Sequence, residues 1–157
     1  RAATRFAALV HDLGKGLTPR QEWPHHIGHE ERGLAALERL DRRMTLPRPW
    51  YRFARFVIAN HMRLPRLRRP GAIVAVIGEM RHGGFDAAEV AAVIRADHGD
   101  LPDFLRRYDL YVAVLDEERA RLEFPADLPP RERGRWLNAR LAGALARNFA
   151  PARGEER

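Results

Sequence analysis

Apolar residues in this chain recur at every third or fourth position, the repeat of a helix with one buried face, and convincing alternating strands are lacking. The pattern predicts a first helix carrying Phe6, Leu9 and Val10 and ending near Gly14 and Gly16, where glycine relieves the backbone. A loop follows through Thr18 and Pro19 to Pro24. The next helix starts between His26 and Gly28 and presents Leu34, Leu37 and Leu40 on one face. Pro47 and Pro49 suit the cap and first turn of a third helix, whose apolar positions include Phe53, Phe56, Val57 and Ile58. Arg63 to Pro70 is a short basic connection punctuated by prolines. The run from Ile73 to Ile77 has the composition of a buried strand, but its short connections favour a buried helix, ended by Gly83 and Gly84. Asp86 suits the cap of a helix from Ala87 to Ala96, with Glu89 at the reciprocal position of a capping box. A long helix from Asp103 to Leu122 and a last one from Arg131 to Phe149 complete the prediction, with a frayed tail after Pro151. There is no internal repeat and no sign of a second domain.

Composition narrows the class. A chain of 157 residues, 45% of them hydrophobic, can bury a core of ordinary size, which argues against global disorder. No apolar stretch is long enough to span a membrane, and the start runs straight into a helical pattern without a cleavage region. The lack of cysteine excludes disulfides, thiolate nucleophiles and Cys-ligated zinc, and fits a cytoplasmic protein. The formal net charge of +7 raises affinity for phosphate-bearing partners. Lys15 is the only lysine, so arginine carries nearly all of that charge. A merely solvated basic surface and one that attracts RNA fit this excess equally well.

The polar landmarks change the picture more. His11-Asp12-Leu13-Gly14-Lys15-Gly16 follows an apolar helical stretch, and His29, His61 and Asp97 lie downstream near predicted helix ends. Imidazole nitrogen and carboxylate oxygen together suit a divalent ion. Adjacent residues diverge by about 100° in mid-helix, but at a terminus His11 and Asp12 can converge on one point. His26 and His29 stand three residues apart and can share a face, with His29 the better ligand. His25, His82 and His98 read as structural histidines, although His98 borders Asp97. Two lookalikes fail: Gly14-Lys15-Gly16 lacks the frame of a nucleotide-hydrolase phosphate loop, and no His-Glu-x-x-His zinc-protease pattern occurs.

The stretch from Arg5 to Pro19 resembles the HD domain of bacterial multifunctional CCA proteins, tRNA nucleotidyltransferases with an added phosphohydrolase domain. The likeness continues through Trp23-Pro24-His25-His26-Ile27-Gly28-His29-Glu30, which is specific to that group, and is looser at His61, at Ala96-Asp97 and over Arg135 to Arg140. It implies an all-α HD-domain helical bundle over residues 1–150, truncated at its N-terminus, with an interhelical metal site and a flexible tail over 151–157. It further implies a metal-dependent phosphohydrolase with 2',3'-cyclic phosphodiesterase, 2'-nucleotidase and phosphatase activities. His11, Asp12 and Asp97 are then assigned to the primary metal, and His29 and His61 to further metal-binding or phosphate-side positions. Lys15 contacts phosphate and His26 contacts the substrate or backs the ligands, so the catalytic set is His11, Asp12 and Lys15. The cofactor is a divalent ion (magnesium, manganese or nickel), and the partners are tRNA or small nucleotide phosphoesters, with no membrane.

The resemblance also sets departures. HD sites take their first histidine from a helix upstream of the His-Asp pair, and no histidine precedes His11, so a C-terminal fragment with a weakened metal site is expected. The nucleotidyltransferase domain is outside this sequence. Two alternatives stay open: a stand-alone HD nucleotidase, and a catalytically vestigial tRNA-binding module that uses the arginines from Arg63 to Arg69 and near the C-terminus.

Overall fold

A computed structural model describes residues 1–149, and these contain helices and turns but no strand. The tail expected over 151–157 lies outside the described residues. The α-helices are α1 (Ala2–Val10), α2 (His29–Met44), α3 (Arg48–Asn60), α4 (Pro70–Gly83), α5 (Ala87–His98), α6 (Asp103–Arg106), α7 (Tyr108–Arg121) and α8 (Arg133–Asn148). Short 3-10 turns over Leu13–Leu17, Arg20–Glu22, Leu64–Arg66 and Pro130–Glu132 join them. Among the described residues no helix is long and apolar enough to cross a membrane.

Helix α3 is the hub. Its Ala54, Val57 and Ile58 are fully buried, and it packs against both α1 and α2. Helix α1 also lies on α5, while α4 and α7 pack on α8. Ile73, Val74, Val76 and Ile77 are buried in α4, so the ambiguous apolar run is a helix enclosed on most sides. This arrangement sends the C-terminal ends of α1, α3 and α5 and the first residue of α2 to a common place.

Four local expectations need correction. Leu9 faces solvent at 81% exposure, because the buried stripe of α1 runs through Ala7 and Val10. Two residues from Ala7, it lies about 200° around the helix. The helix expected from Asp103 to Leu122 is broken at Arg107 (φ −102°, ψ 8°). The break lets Phe104 bury completely beside the Leu64–Arg66 turn while α7 directs Tyr111 and Leu115 into the core. Asp86 does cap α5, accepting from the Ala88 amide at 2.7 Å. Glu89 does not complete a box, for its carboxylate accepts instead from the Thr4 hydroxyl at 3.1 Å and lies 3.4 Å from Arg1, tying α5 to α1.

The fourth correction concerns Gly14. It has no left-handed backbone, and a Cβ built there would lie 1.9 Å from the carbonyl oxygen of His29 and 2.5 Å from the amide nitrogen of Gly33. Its role is close approach of the Leu13–Leu17 turn to α2. Gly33 repeats the device on the other side, where a Cβ would press on Ile58 of α3 at 2.9 Å. Two glycines thus let three segments meet where the histidines converge.

Candidate metal centre

His11 caps α1 and Asp12 follows it at the start of the 13–17 turn; His29 opens α2, His61 caps α3, and Asp97 sits in the last turn of α5. All three imidazoles are oriented in the same way. Their Nδ1 atoms donate to the carbonyl three residues earlier: His11 to Ala8 at 2.8 Å, His29 to His26 at 3.0 Å, and His61 to Ile58 at 3.0 Å. A carbonyl only accepts, so Nδ1 carries a hydrogen and Nε2 is the nitrogen each ring turns inward.

Those lone pairs meet two carboxylates. His11 Nε2 lies 3.3 Å from Asp12 Oδ2 and 3.1 Å from Asp97 Oδ1. On the other side of the carboxylate, Asp12 Oδ1 lies 3.4 Å from His29 Nε2 and 3.5 Å from His61 Nε2. Two donor sets result, His11–Asp12–Asp97 and Asp12–His29–His61, each with its donor atoms within 4.8 Å of one another and joined through Asp12.

The donors fit a divalent ion. His11 Nε2 and Asp12 Oδ1 are buried and have no hydrogen-bond partner. The Nε2 atoms of His29 and His61 face each other at 3.0 Å inside the protein. With Nδ1 of each ring donating to a carbonyl, that contact is satisfied by a proton or a metal cation shared between the two nitrogens. Burial, together with the neighbouring His11 and His29, pushes the His61 pKa below its ordinary value and keeps the ring neutral, outweighing the attraction of Asp12 and the bond to Ile58. Burial pushes the Asp12 carboxyl up, but the Lys15 hydrogen bond and the adjacent His11 outweigh it and hold the pKa below the ordinary carboxylate value. A neutral imidazole beside an ionised carboxylate is the protonation state that metal binding requires.

Three residues stand differently from the sequence reading. Lys15 Nζ is bound to Asp12 Oδ2 at 2.6 Å, so its first partner is the shared carboxylate. The His26 ring is outside both donor sets and leans on Trp23, with centroids 5.9 Å apart; what reaches the site is its backbone carbonyl, which orients His29. His98, read as structural, places Nε2 3.2 Å from Asp97 Oδ2, and its position next to Asp97 was the only signal in the sequence. Sequence reasoning also passed over Arg32, whose guanidinium donates to the Ile27 carbonyl and the Thr18 hydroxyl and braces the loop before His29.

The HD domain family model matches residues 1–117. The chain belongs to the HD-domain family. Among individual proteins, it is 35% identical to a multifunctional CCA protein of Stenotrophomonas maltophilia strain K279a over 92% of this chain and 32% of that protein. It is 33% identical to the multifunctional CCA protein of Chromobacterium violaceum over 91% of this chain and 31% of that protein. A shorter match to the Xylella fastidiosa strain M12 protein reaches 47% identity over 41% of this chain and 15% of the relative. The chain therefore spans at most about a third of the length of these relatives. No solved structure matches it. An HD domain that gathers this His/Asp cluster is a metal-dependent phosphohydrolase domain.

Proposed function

We propose that this domain hydrolyses nucleotide phosphoesters, with 2',3'-cyclic phosphates and 2'-nucleotides as its substrates and tRNA 3' ends as the larger partner, as part of a CCA-adding protein. The observation that carries the reading is the pair of donor sets joined through Asp12, within a chain similar to multifunctional CCA proteins. His11, Asp12 and Asp97 would hold the primary divalent ion, with His29 and His61 as further ligands or phosphate-side groups. Such an ion, when bound, supplies Lewis acidity toward a phosphoryl oxygen and lowers the pKa of nearby water.

The protein's own groups do the rest. Asp12, held ionised, accepts a hydrogen bond from the attacking water and sets its direction toward phosphorus. Lys15, already 2.6 Å from that carboxylate and partly exposed, offsets the negative charge that builds on the phosphoryl oxygens. The buried His29 and His61 limit bulk water on the inner side, where electrostatic interactions are least screened.

The test is hydrolysis of 2',3'-cyclic AMP by this chain with added manganese, nickel or magnesium, beside an Asp12→Ala control. Metal-dependent turnover lost by at least about a hundredfold in the control is expected. Turnover indifferent to metal or to Asp12→Ala overturns the assignment.

A further inference from the structure

Of the three tryptophans, Trp50 packs on Phe6 and Trp136 on Phe124, and both are half-buried. Trp23 is 57% exposed. Its indole N–H is already used, donating to the Thr18 carbonyl at 3.1 Å, so what the side chain offers to solvent is apolar ring surface.

The loop that carries Trp23 is braced. Arg32 donates to the Thr18 hydroxyl at 3.3 Å and to the Ile27 carbonyl, and lies 3.6 Å from Glu22. The Trp23 amide donates to the Arg20 carbonyl at 3.2 Å, and those of His25 and His26 donate to the Glu22 carbonyl at 3.0 and 3.3 Å. A large ring held in water on such a loop gains hydrophobic free energy when a ligand covers it, and ordering it for binding costs little entropy.

Two runs of contacts tie the ring to the metal centre. On the open side, where Asp12 and Lys15 are partly exposed, the Thr18 amide donates to the Lys15 carbonyl at 3.1 Å and Lys15 Nζ holds Asp12 at 2.6 Å. On the other side the indole packs on the His26 ring, centroids 5.9 Å apart, and the His26 carbonyl accepts from Nδ1 of His29 at 3.0 Å. Buried His29 and His61 close the inner face, so a substrate reaches the donors across the Asp12–Lys15 lip to which Trp23 is tied.

In a 2',3'-cyclic nucleotide the base and the phosphate leave neighbouring carbons of one ribose. A site that holds the phosphate therefore has the base within one sugar's width. Bases stack on aromatic side chains through their π-faces, and purines present the larger face.

We infer that Trp23 is the stacking platform for the nucleobase of the substrate, a specificity-determining residue that separates nucleotides from phosphoesters without a base. This rests on the phosphoester reading above and names what the site recognises beyond the phosphate. The platform favours adenine over uracil.

The experiment compares the parent with Trp23→Phe and Trp23→Leu on 2',3'-cyclic AMP, 2',3'-cyclic UMP and the 2',3'-cyclic phosphate of methyl riboside, which has no base, with manganese added. Loss of one stacked base predicts a KM for cyclic AMP about 5- to 150-fold higher in Trp23→Leu, with kcat unchanged. KM for the baseless riboside stays within about twofold, and the advantage of cyclic AMP over cyclic UMP disappears. Trp23→Phe loses the N–H that bonds Thr18 but keeps a ring, so it retains most of the parent's preference for cyclic AMP. Equal losses on all three substrates, or Trp23→Phe as impaired as Trp23→Leu, assign Trp23 to bracing the loop and overturn the inference. An unchanged KM in Trp23→Leu overturns it as well.

Calorimetric binding of adenosine 2'-monophosphate to the manganese-loaded chain reads the same contact without turnover. Binding that weakens in Trp23→Leu, in a chain that hydrolyses none of the three substrates, removes the phosphohydrolase reading and keeps the platform. Turnover of cyclic AMP with KM and binding indifferent to Trp23→Leu removes the platform alone.

Discussion

At the scale of single residues, Asp12 is the hinge of the centre because its two oxygens serve different donor sets. The surrounding side chains matter through what they hold in place. His98 lies 3.2 Å from the Asp97 oxygen that does not face His11, and it can fix the rotation of that carboxylate. His98→Ala is therefore expected to weaken manganese binding by about 10- to 100-fold, read by titration calorimetry, with little change in urea stability. Unchanged affinity would leave His98 as a surface histidine. The residue scale is also where the sequence was most informative: His11, Asp12, His29, His61 and Asp97 are separated by as many as 86 positions, yet their donor atoms come together. The sequence reading was least informative about partners. Nothing in Lys15 announced that it would lie on Asp12, nor in His26 that its carbonyl rather than its ring would serve the site.

Between elements, close backbone approach decides whether the centre can assemble. Gly14→Ala would place a methyl group against the backbone of His29 and Gly33, neither of which can swing aside as a side chain would. Destabilisation of about 2–3 kcal/mol is expected from such overpacking, measured by urea denaturation. Gly16→Ala, with nothing within 4 Å of its added carbon, is the matched comparison and is expected to change stability by less than about 1 kcal/mol.

The α2–α3 corner supplies a test by pH. Asp41 accepts from Arg48 at 2.8 and 2.7 Å and from the Leu46 amide at 2.9 Å. The Arg48 hydrogen bond, helped by the Leu46 amide, holds the Asp41 carboxyl below its ordinary range. A carboxyl depressed on folding contributes stability that is complete above its unfolded value, about 3.9, and is lost as pH falls through the folded value. Asp41→Asn is thus expected to destabilise the chain at pH 6, with the gap from the parent closing as pH falls below about 3.9. A gap that stays constant to pH 2 would mean that the ion pair is not its source.

For the whole molecule, a cluster of unpartnered donors should link metal binding to folding. A ligand at about 100 times its Kd stabilises the native state by about 2.7 kcal/mol, which for a domain of this size raises the melting temperature by about 5–10 °C. Manganese or nickel is expected to give such a rise, EDTA to reverse it, and Asp12→Asn to abolish it. An equal rise in the variant would point to ion binding elsewhere.

What the sequence alone determined was helical class, most helix positions and which histidines and aspartates to look for as a cluster. Each follows from local information: periodicity of apolar side chains, caps and prolines at helix ends, and the pairing of His11 with Asp12 before a glycine-containing turn. Tertiary packing decided matters that depend on neighbours distant in the chain. It turned Leu9 outward because Ala7 and Val10 meet the core, broke the helix at Arg107 so that Phe104 could bury, and gave Gly14 its role through the backbone of α2. It also drew Asp12 between His11 and the His29–His61 pair. Side-chain periodicity specifies which face of a helix is buried, but only packed helices specify which of their ends meet.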